Sequence, residues 1–270
     1  LDVKYAGESI QDKLTKVRAI MKKQNVTMHI LNSLYDIAWL LNIRGNDINN
    51  TPVVLSTAVI TLDKVYYFVD EEKLNDEIKA EFNKIGIEVR NYFEIYDFVK
   101  TIQKDEVVLL DGTTVNYKLY RNIPSNVSII DAPNPTFIFK AIKNEVELKN
   151  IRECHIKDGV AMTKFMYWLK TNIGKIKITE ISASDKLEQL RRSDKDCFDL
   201  SFPTISGYKE HAAMMHYSAT KESEYELEQE GMLLVDSGGQ YYTGTTDITR
   251  TYILGDITEE QKLHYTSVLR

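Results

Sequence analysis

The chain has 270 residues, 43% of them hydrophobic and 27% charged, with a formal net charge of −6 and a pI near 5.5. This is ordinary composition for a globular protein of about two domains, and the acidic balance leaves no basic stripe to follow phosphates, which argues against nucleic acid as a partner. No apolar run approaches the ~20 residues of a membrane-spanning helix, and the two cysteines, Cys154 and Cys197, predict reduced structural thiols rather than a disulfide framework.

In chain order, Ser9 is placed to cap an amphipathic helix running to Met21, and residues 26–31 read as a buried strand. Ser33 caps a short helix carrying Leu34, Ile37, Ala38 and Leu41. Strands follow at 53–60 and 65–69, turning at Asp63-Lys64, then a charged helix over 71–84 with Leu74, Ile78 and Phe82 inward. A strand at 87–89, a helix near 96–102, a strand at 107–110, a short helix near Tyr117 and a strand at 127–130 complete an alternating α/β pattern, which predicts a mixed sheet with helices on its faces. Pro133 and Pro135 mark residues 132–136 as a linker, so a first domain is expected over 1–138 and a second over 139–270. Asn144 caps a long helix with Glu147 at its third position, and Thr179 caps another bearing Ile181, Leu187 and Leu190. Five glutamates between Glu222 and Glu230 read as a solvated loop. Thr258 and Gln261 form a capping box for a last helix. Trp39 and Trp168 sit at core spacing, and Arg44 with Asp47 suggests a local ion pair.

The chemistry concentrates in Gly231-Met-Leu-Leu-Val-Asp236-Ser-Gly-Gly-Gln-Tyr-Tyr-Thr-Gly-Thr-Thr-Asp247-Ile-Thr-Arg-Thr251. Leu233 with Val235, and Ile248 with Tyr252, alternate with polar residues as half-buried strands do, and Thr243-Gly244 supplies a turn. Charged residues in such a hairpin are costly unless neutralised. Two aspartates there suggest a shared divalent cation, since hard carboxylate oxygens suit Mg, Mn or Zn. The same spacing also suits an Asp247 paired with Arg250, and spacing alone leaves both open.

The whole string resembles the metal-binding hairpin of the pita-bread metallopeptidases, the family of methionine aminopeptidase, prolidase, creatinase and aminopeptidase P. Asp236-Ser-Gly-Gly-Gln-Tyr followed by Gly244-Thr-Thr-Asp247-Ile-Thr-Arg-Thr251 is most similar to the three-domain Xaa-Pro aminopeptidases. Ile37-Ala-Trp-Leu-Leu-Asn-Ile-Arg44-Gly-Asn-Asp47, Lys140-Ala-Ile-Lys-Asn-Glu-Val-Glu-Leu148, His155-Ile-Lys-Asp-Gly-Val-Ala161, Thr179-Glu-Ile-Ser-Ala-Ser-Asp185 and Leu200-Ser-Phe-Pro-Thr-Ile-Ser206 follow in that family's order.

The resemblance implies an α/β (α+β) fold: a non-catalytic, creatinase N-terminal-like mixed-sheet domain followed by an incomplete pita-bread catalytic domain. It implies a metal-dependent aminopeptidase that releases the N-terminal residue from peptides with proline second. Two divalent ions are implied, Mn2+ first, with Zn2+ or Co2+ as alternatives. Asp236 would chelate one ion and Asp247 bridge both. The family's five ligands include a His and two Glu that no stretch of this sequence matches, so the chain reads as an internal fragment, inactive and weak in metal binding. His216, in Met214-Met-His-Tyr217, would face the substrate and steady the oxyanion, while an imidazole satisfied by a strand carbonyl is the plainer alternative. Where the family often has Asn-Gly or Asn-Ala, this chain has His211-Ala-Ala, and His211 reads as a surface residue. Thr249 and Arg250 are expected to buttress the hairpin. A cytoplasmic enzyme is implied, with no membrane partner and homodimerisation through the catalytic domain. The rivals are a prolidase-type dipeptidase and a non-catalytic pita-bread module that binds protein.

Overall fold

The computed structural model describes residues 1–270 and divides into two compact units, Leu1–Val146 and Glu147–Arg270. The first unit runs α1 (Val3–Ala6), α2 (Ile10–Lys23), β1 (Met28–Leu31), α3 (Leu34–Leu40), β2 (Ser56–Thr61), β3 (Val65–Val69), α4 (Asp76–Lys84), β4 (Ile87–Asn91), α5 (Ile95–Phe98), β5 (Val107–Leu110), α6 (Tyr117–Asn122), β6 (Ser128–Asp131) and α7 (Pro135–Ala141). Its strands form one six-stranded sheet in the order β4-β3-β2-β1-β5-β6. The β1–β2 and β2–β3 pairs are antiparallel, the other three parallel.

The central strands β1 and β2 are almost wholly buried because both faces are covered. Along them the residues divide by the period of two: Ile30, Val59 and Phe68 enter one core, Leu31, Ala58, Ile60 and Tyr67 the other. Fully burying each such side chain contributes about 1.5–3 kcal/mol. Ser9 caps α2 by accepting the Asp12 N–H at 3.2 Å, and α2 buries Leu14, Val17 and Met21.

Three details of this unit differ from expectation. The helix expected over 71–84 is interrupted: a 3₁₀ turn at Glu71–Lys73 is followed by α4, capped anew by Asn75, whose side chain accepts the Ile78 N–H at 2.8 Å. Leu74 sits at the break and is buried there. Arg44 and Asp47 do not pair. Arg44 donates to the Ala38 and Ile43 carbonyls, and Asp47 binds Lys73 at 2.8 Å and the Leu55 N–H at 2.7 Å. The proline-marked stretch 132–136 lies within the first unit, where Pro135 opens α7.

The second unit contains most of α8 (Glu145–Asn172), then α9 (Glu180–Arg192), β7 (Cys197–Leu200), β8 (Ile205–Tyr208), β9 (Met232–Ser237), β10 (Gly239–Tyr241), β11 (Gly244–Thr245), β12 (Ile248–Ile253) and α10 (Glu259–Leu269). Two three-stranded sheets form, β12-β9-β8 and β11-β10-β7. Phe165 and Leu169 of α8, Ala183 and Leu187 of α9, and Leu233, Val235 and Tyr252 of the first sheet make its core. Beneath it lies a buried ion pair, Arg191 Nε to Asp158 Oδ1 at 2.7 Å, with the Tyr241 hydroxyl donating to the same oxygen at 2.8 Å. Cys154 and Cys197 are free thiols buried beside Tyr241, and burial pushes both thiols up from their ordinary pKa, that of Cys154 to about 11. No helix of the protein is long and apolar enough to cross a membrane.

Candidate metal centre

β9 and β12 pair antiparallel, with Thr249 opposite Asp236, Arg250 opposite Val235 and Thr251 opposite Leu234. Opposed residues share a sheet face, and the face alternates at each step along a strand. Leu233, Val235 and Tyr252 take the core face. Asp236, Leu234, Thr249 and Thr251 therefore take the other. Asp247 stands one residue before β12, outside the paired register and two residues from Thr249. β8 extends that face, with Ile205 opposite Asp236 and Gly207 opposite Leu234. Asp236 is half-buried and Asp247 exposed.

The glycines explain how two sheets are drawn from one hairpin. β9 ends at Ser237 and β10 begins at Gly239, in the other sheet. A Cβ on the intervening Gly238 would lie 1.9 Å from the Thr246 carbonyl oxygen and 2.1 Å from Ser201 Oγ, so a side chain has no room at this crossing. Thr246 fastens it. Its Oγ1 accepts the Gly239 N–H at 2.9 Å, its N–H donates to the Gly239 carbonyl at 3.0 Å, and its carbonyl accepts the Ser201 hydroxyl at 2.8 Å. Asp236 and Asp247 flank this fastening, each one or two residues away from it. The turn itself falls at Tyr242-Thr243, because Tyr241 pairs with Gly244, one residue earlier than the sequence suggests.

Around the pair, the Thr249 hydroxyl donates to Asp236 Oδ1 at 2.7 Å, the buttress expected of it. Arg250 donates to the Thr249 carbonyl at 2.7 Å and makes no ion pair with Asp247, so that alternative is not adopted. The donor chemistry fits a hard divalent cation, since both groups are carboxylates and one is held by a hydroxyl. The number does not complete a site. Divalent ions take four or more ligands, and no group of three or more His, Cys, Asp or Glu side chains is placed to hold a metal.

His216 lies in an exposed turn after a 3₁₀ helix, Lys209–Ala213, rather than in a strand. Gly207 permits that reversal: its Cβ would come within 3.0 Å of the Ala212 backbone. The 3₁₀ turn thus packs against the sheet face that carries Gly207 and Leu234, two register pairs along β8 and β9 from Asp236. Lys209 adopts φ 53° at the reversal and holds Glu228 at 2.9 Å and Glu230 at 2.8 Å. A cleft of about 650 Å³ opens on this face, with Ala212, Leu234, Thr251 and Gln261 among its walls; Asp236 and Asp247 are not.

His211 is not the surface residue expected. It is 12% exposed, hydrogen-bonded to the fully buried Glu180 at 2.9 Å and stacked on Tyr217 and Tyr225. Sequence reasoning passed over Glu180 as well, since Thr179-Glu180 has the pattern of an ordinary helix start. The partners of Glu180 are 28 to 45 residues away, a separation that leaves no local signal.

Residues 1–147 match the family described as the creatinase/prolidase N-terminal domain, and residues 149–270 match metallopeptidase family M24. The chain is 38% identical over 274 residues to "Xaa-Pro aminopeptidase 1" of Dictyostelium discoideum, covering 100% of this chain and 43% of that protein. It is 32% identical over 315 residues to "Aminopeptidase P1" of Arabidopsis thaliana, covering 99% of this chain and 49% of that one. Among solved structures, an X-prolyl aminopeptidase of Caenorhabditis elegans, described as a cytosolic enzyme with a di-nuclear active site, superposes with a TM-score of 0.94 at 31% identity, covering 100% of this chain and 45% of that chain. An Xaa-Pro dipeptidase of Bacillus anthracis shares the fold at a TM-score of 0.75 and 17% identity, covering 97% of this chain and 70% of that one. The chain spans less than half the length of these two curated relatives.

Proposed function

Because the chain belongs to the creatinase/prolidase family, with a metallopeptidase family M24 unit after its N-terminal domain, we propose that it serves a metal-dependent aminopeptidase releasing the N-terminal residue from peptides with proline second. The observation that supports this reading is Asp236 on the non-core face of β9, held by the Thr249 hydroxyl across the β9–β12 pair, with Asp247 exposed one residue before β12. Support for the substrate class comes from the names of the relatives in Dictyostelium discoideum and Arabidopsis thaliana, and from the C. elegans enzyme.

In this proposal Asp236 and Asp247 are metal ligands. Bound divalent ions supply Lewis acidity and lower the pKa of water. Thr249 fixes the rotation of the Asp236 carboxylate through its 2.7 Å hydrogen bond. His216, free in its exposed turn, donates a hydrogen bond to the scissile carbonyl oxygen as negative charge develops there. We take Mn2+ as the metal, since carboxylate-rich sites suit it, and the cytosol as the compartment, following the description of the C. elegans enzyme.

Assay of the full-length protein with an Xaa-Pro peptide and added Mn2+ tests this. Hydrolysis that falls by about 10³-fold in Asp247→Asn is expected, the scale seen when a group acts as one unit with others. Failure to hydrolyse any such peptide with two equivalents of Mn2+ bound would defeat the proposal.

A further inference from the structure

Glu180, in the first turn of α9, is fully buried yet takes four donors, all distant from it in the chain. Its Oε1 accepts the Tyr208 N–H at 2.7 Å, and its Oε2 accepts the Tyr217 hydroxyl at 2.7 Å and the Tyr225 N–H at 3.0 Å. His211 Nδ1 lies 2.9 Å from Oε1 and 3.1 Å from Oε2, and because a carboxylate accepts, this nitrogen carries the proton. The His211 ring is stacked between Tyr217, centroids 4.4 Å apart, and Tyr225, 3.9 Å apart. The amino-terminal end of α9 also favours negative charge there.

Three of the four donors belong to one segment. Tyr208 ends β8, His211 is in the 3₁₀ turn, and Tyr217 follows the turn that carries His216. One carboxylate therefore anchors the start, middle and end of residues 208–217. Charge-assisted hydrogen bonds inside a desolvated site are roughly twice as strong as neutral ones, so this anchor outweighs the few exposed contacts the turn makes elsewhere. His216 has no anchor of its own and takes its place from Tyr217, its neighbour.

We propose that Glu180 and His211 are positioning residues, which clasp the 208–217 segment and so fix the turn that carries His216. The clasp rests on the reading of His216 as the substrate-facing imidazole. Glu180→Gln preserves shape but replaces one acceptor oxygen by a donor, leaving at least one of the Tyr208 and Tyr225 N–H groups or the Tyr217 hydroxyl without its acceptor. His211→Leu removes one donor, and His211→Asn keeps a donor at nearly the same place.

The test combines amide hydrogen exchange and the His216 imidazole NMR resonance with kinetics of the full-length protein. In Glu180→Gln, exchange over 211–217 should accelerate at least about 10-fold while β9 and β12 keep their protection. The His216 resonance should move, and kcat should fall about 10- to 100-fold with KM within a factor of about two, as for a misplaced catalytic group. His211→Leu should follow the same pattern, and His211→Asn should recover most of kcat. If Glu180→Gln fails to fold, Tyr217→Phe, which loses one hydroxyl, is expected to show the same signs at smaller size. Unaltered exchange and an unmoved His216 resonance overturn the clasp, as does loosened exchange with wild-type kcat. A wild-type protein that hydrolyses no Xaa-Pro peptide removes the functional reading instead, and the clasp then stands or falls on exchange and resonance.

Discussion

Gly238 has no room for a side chain, and the nearest atom, the Thr246 carbonyl oxygen, is backbone that cannot swing aside. Gly238→Ala should therefore cost on the order of 2–4 kcal/mol, as overpacking against backbone does, and a urea titration of the second unit would measure it. Thr249→Val removes the hydroxyl on Asp236 Oδ1 while keeping the side-chain shape. A loss of about 10-fold in Mn2+ affinity is expected in the full-length protein, on the scale of other outer contacts to metal ligands, and calorimetry reads it. His29 offers a pH test. Its Nδ1–H donates to the Leu109 carbonyl at 3.1 Å, its Nε2 is buried without a partner, and burial lowers its pKa from 6.5 to about 4. The unfolded chain therefore binds the proton first. Stability from neutral His29 is complete above pH 6.5 and declines as pH falls from 6.5 towards 4, by on the order of 3 kcal/mol. His29→Met should flatten that part of the pH dependence of the urea midpoint, and an unchanged slope would contradict it. The strands beside the two aspartates were legible because period-two alternation is local to them. His211 was not, because Lys209-Glu210-His211 has a surface composition and its partner Glu180 lies 31 residues back.

At the level of elements, capping residues were the most legible signals. Ser9, Thr179 and Thr258 each stand at a helix start with the expected side-chain hydrogen bond, and Thr258 with Gln261 forms the full capping box. Each acts within one turn of chain, so sequence suffices. The interrupted helix after Asp70 shows the limit. Its charged and apolar spacing suits a helix throughout, but Asn75 competes as a cap and Leu74 is drawn into the core. The hairpin shows another limit, since the crossing at Gly238 depends on Thr246 and Ser201 from other stretches. Long-range polar contacts also tie elements together. Arg191 of α9 and Asp158 of α8 are both fully buried, with Tyr241 of β10 donating to the same carboxylate. Arg191→Met should cost about 3–5 kcal/mol, because it strands a buried charge. Replacing both partners together, Asp158→Leu with Arg191→Met, should cost less than the single change. Denaturant midpoints of the two variants decide this, and a double variant weaker than the single one would contradict it.

Across the whole molecule, the mixed α/β class followed from strands alternating with helices in the first unit, while α7, β7, β8 and the 3₁₀ turn at Lys209–Ala213 were not read from the sequence. The division into Leu1–Val146 and Glu147–Arg270 reflects separate cores, two clusters in the first unit and another in the second, each closed by residues of its own unit. In the proposed reading the metal site belongs to the second unit, where Asp236 and Asp247 alone fall short of a full coordination sphere. The 270-residue chain should therefore bind Mn2+ weakly, with a dissociation constant on the order of 10⁻⁴–10⁻³ M, the range of sparse oxygen-ligand sites. The direct measurement is a titration of this chain with Mn2+, following the free ion by electron paramagnetic resonance, alongside Asp236→Asn and Asp247→Asn. Weak binding that disappears in either variant is the expected result. Variants that hold Mn2+ as well as the parent chain would contradict the assignment of these two aspartates as ligands.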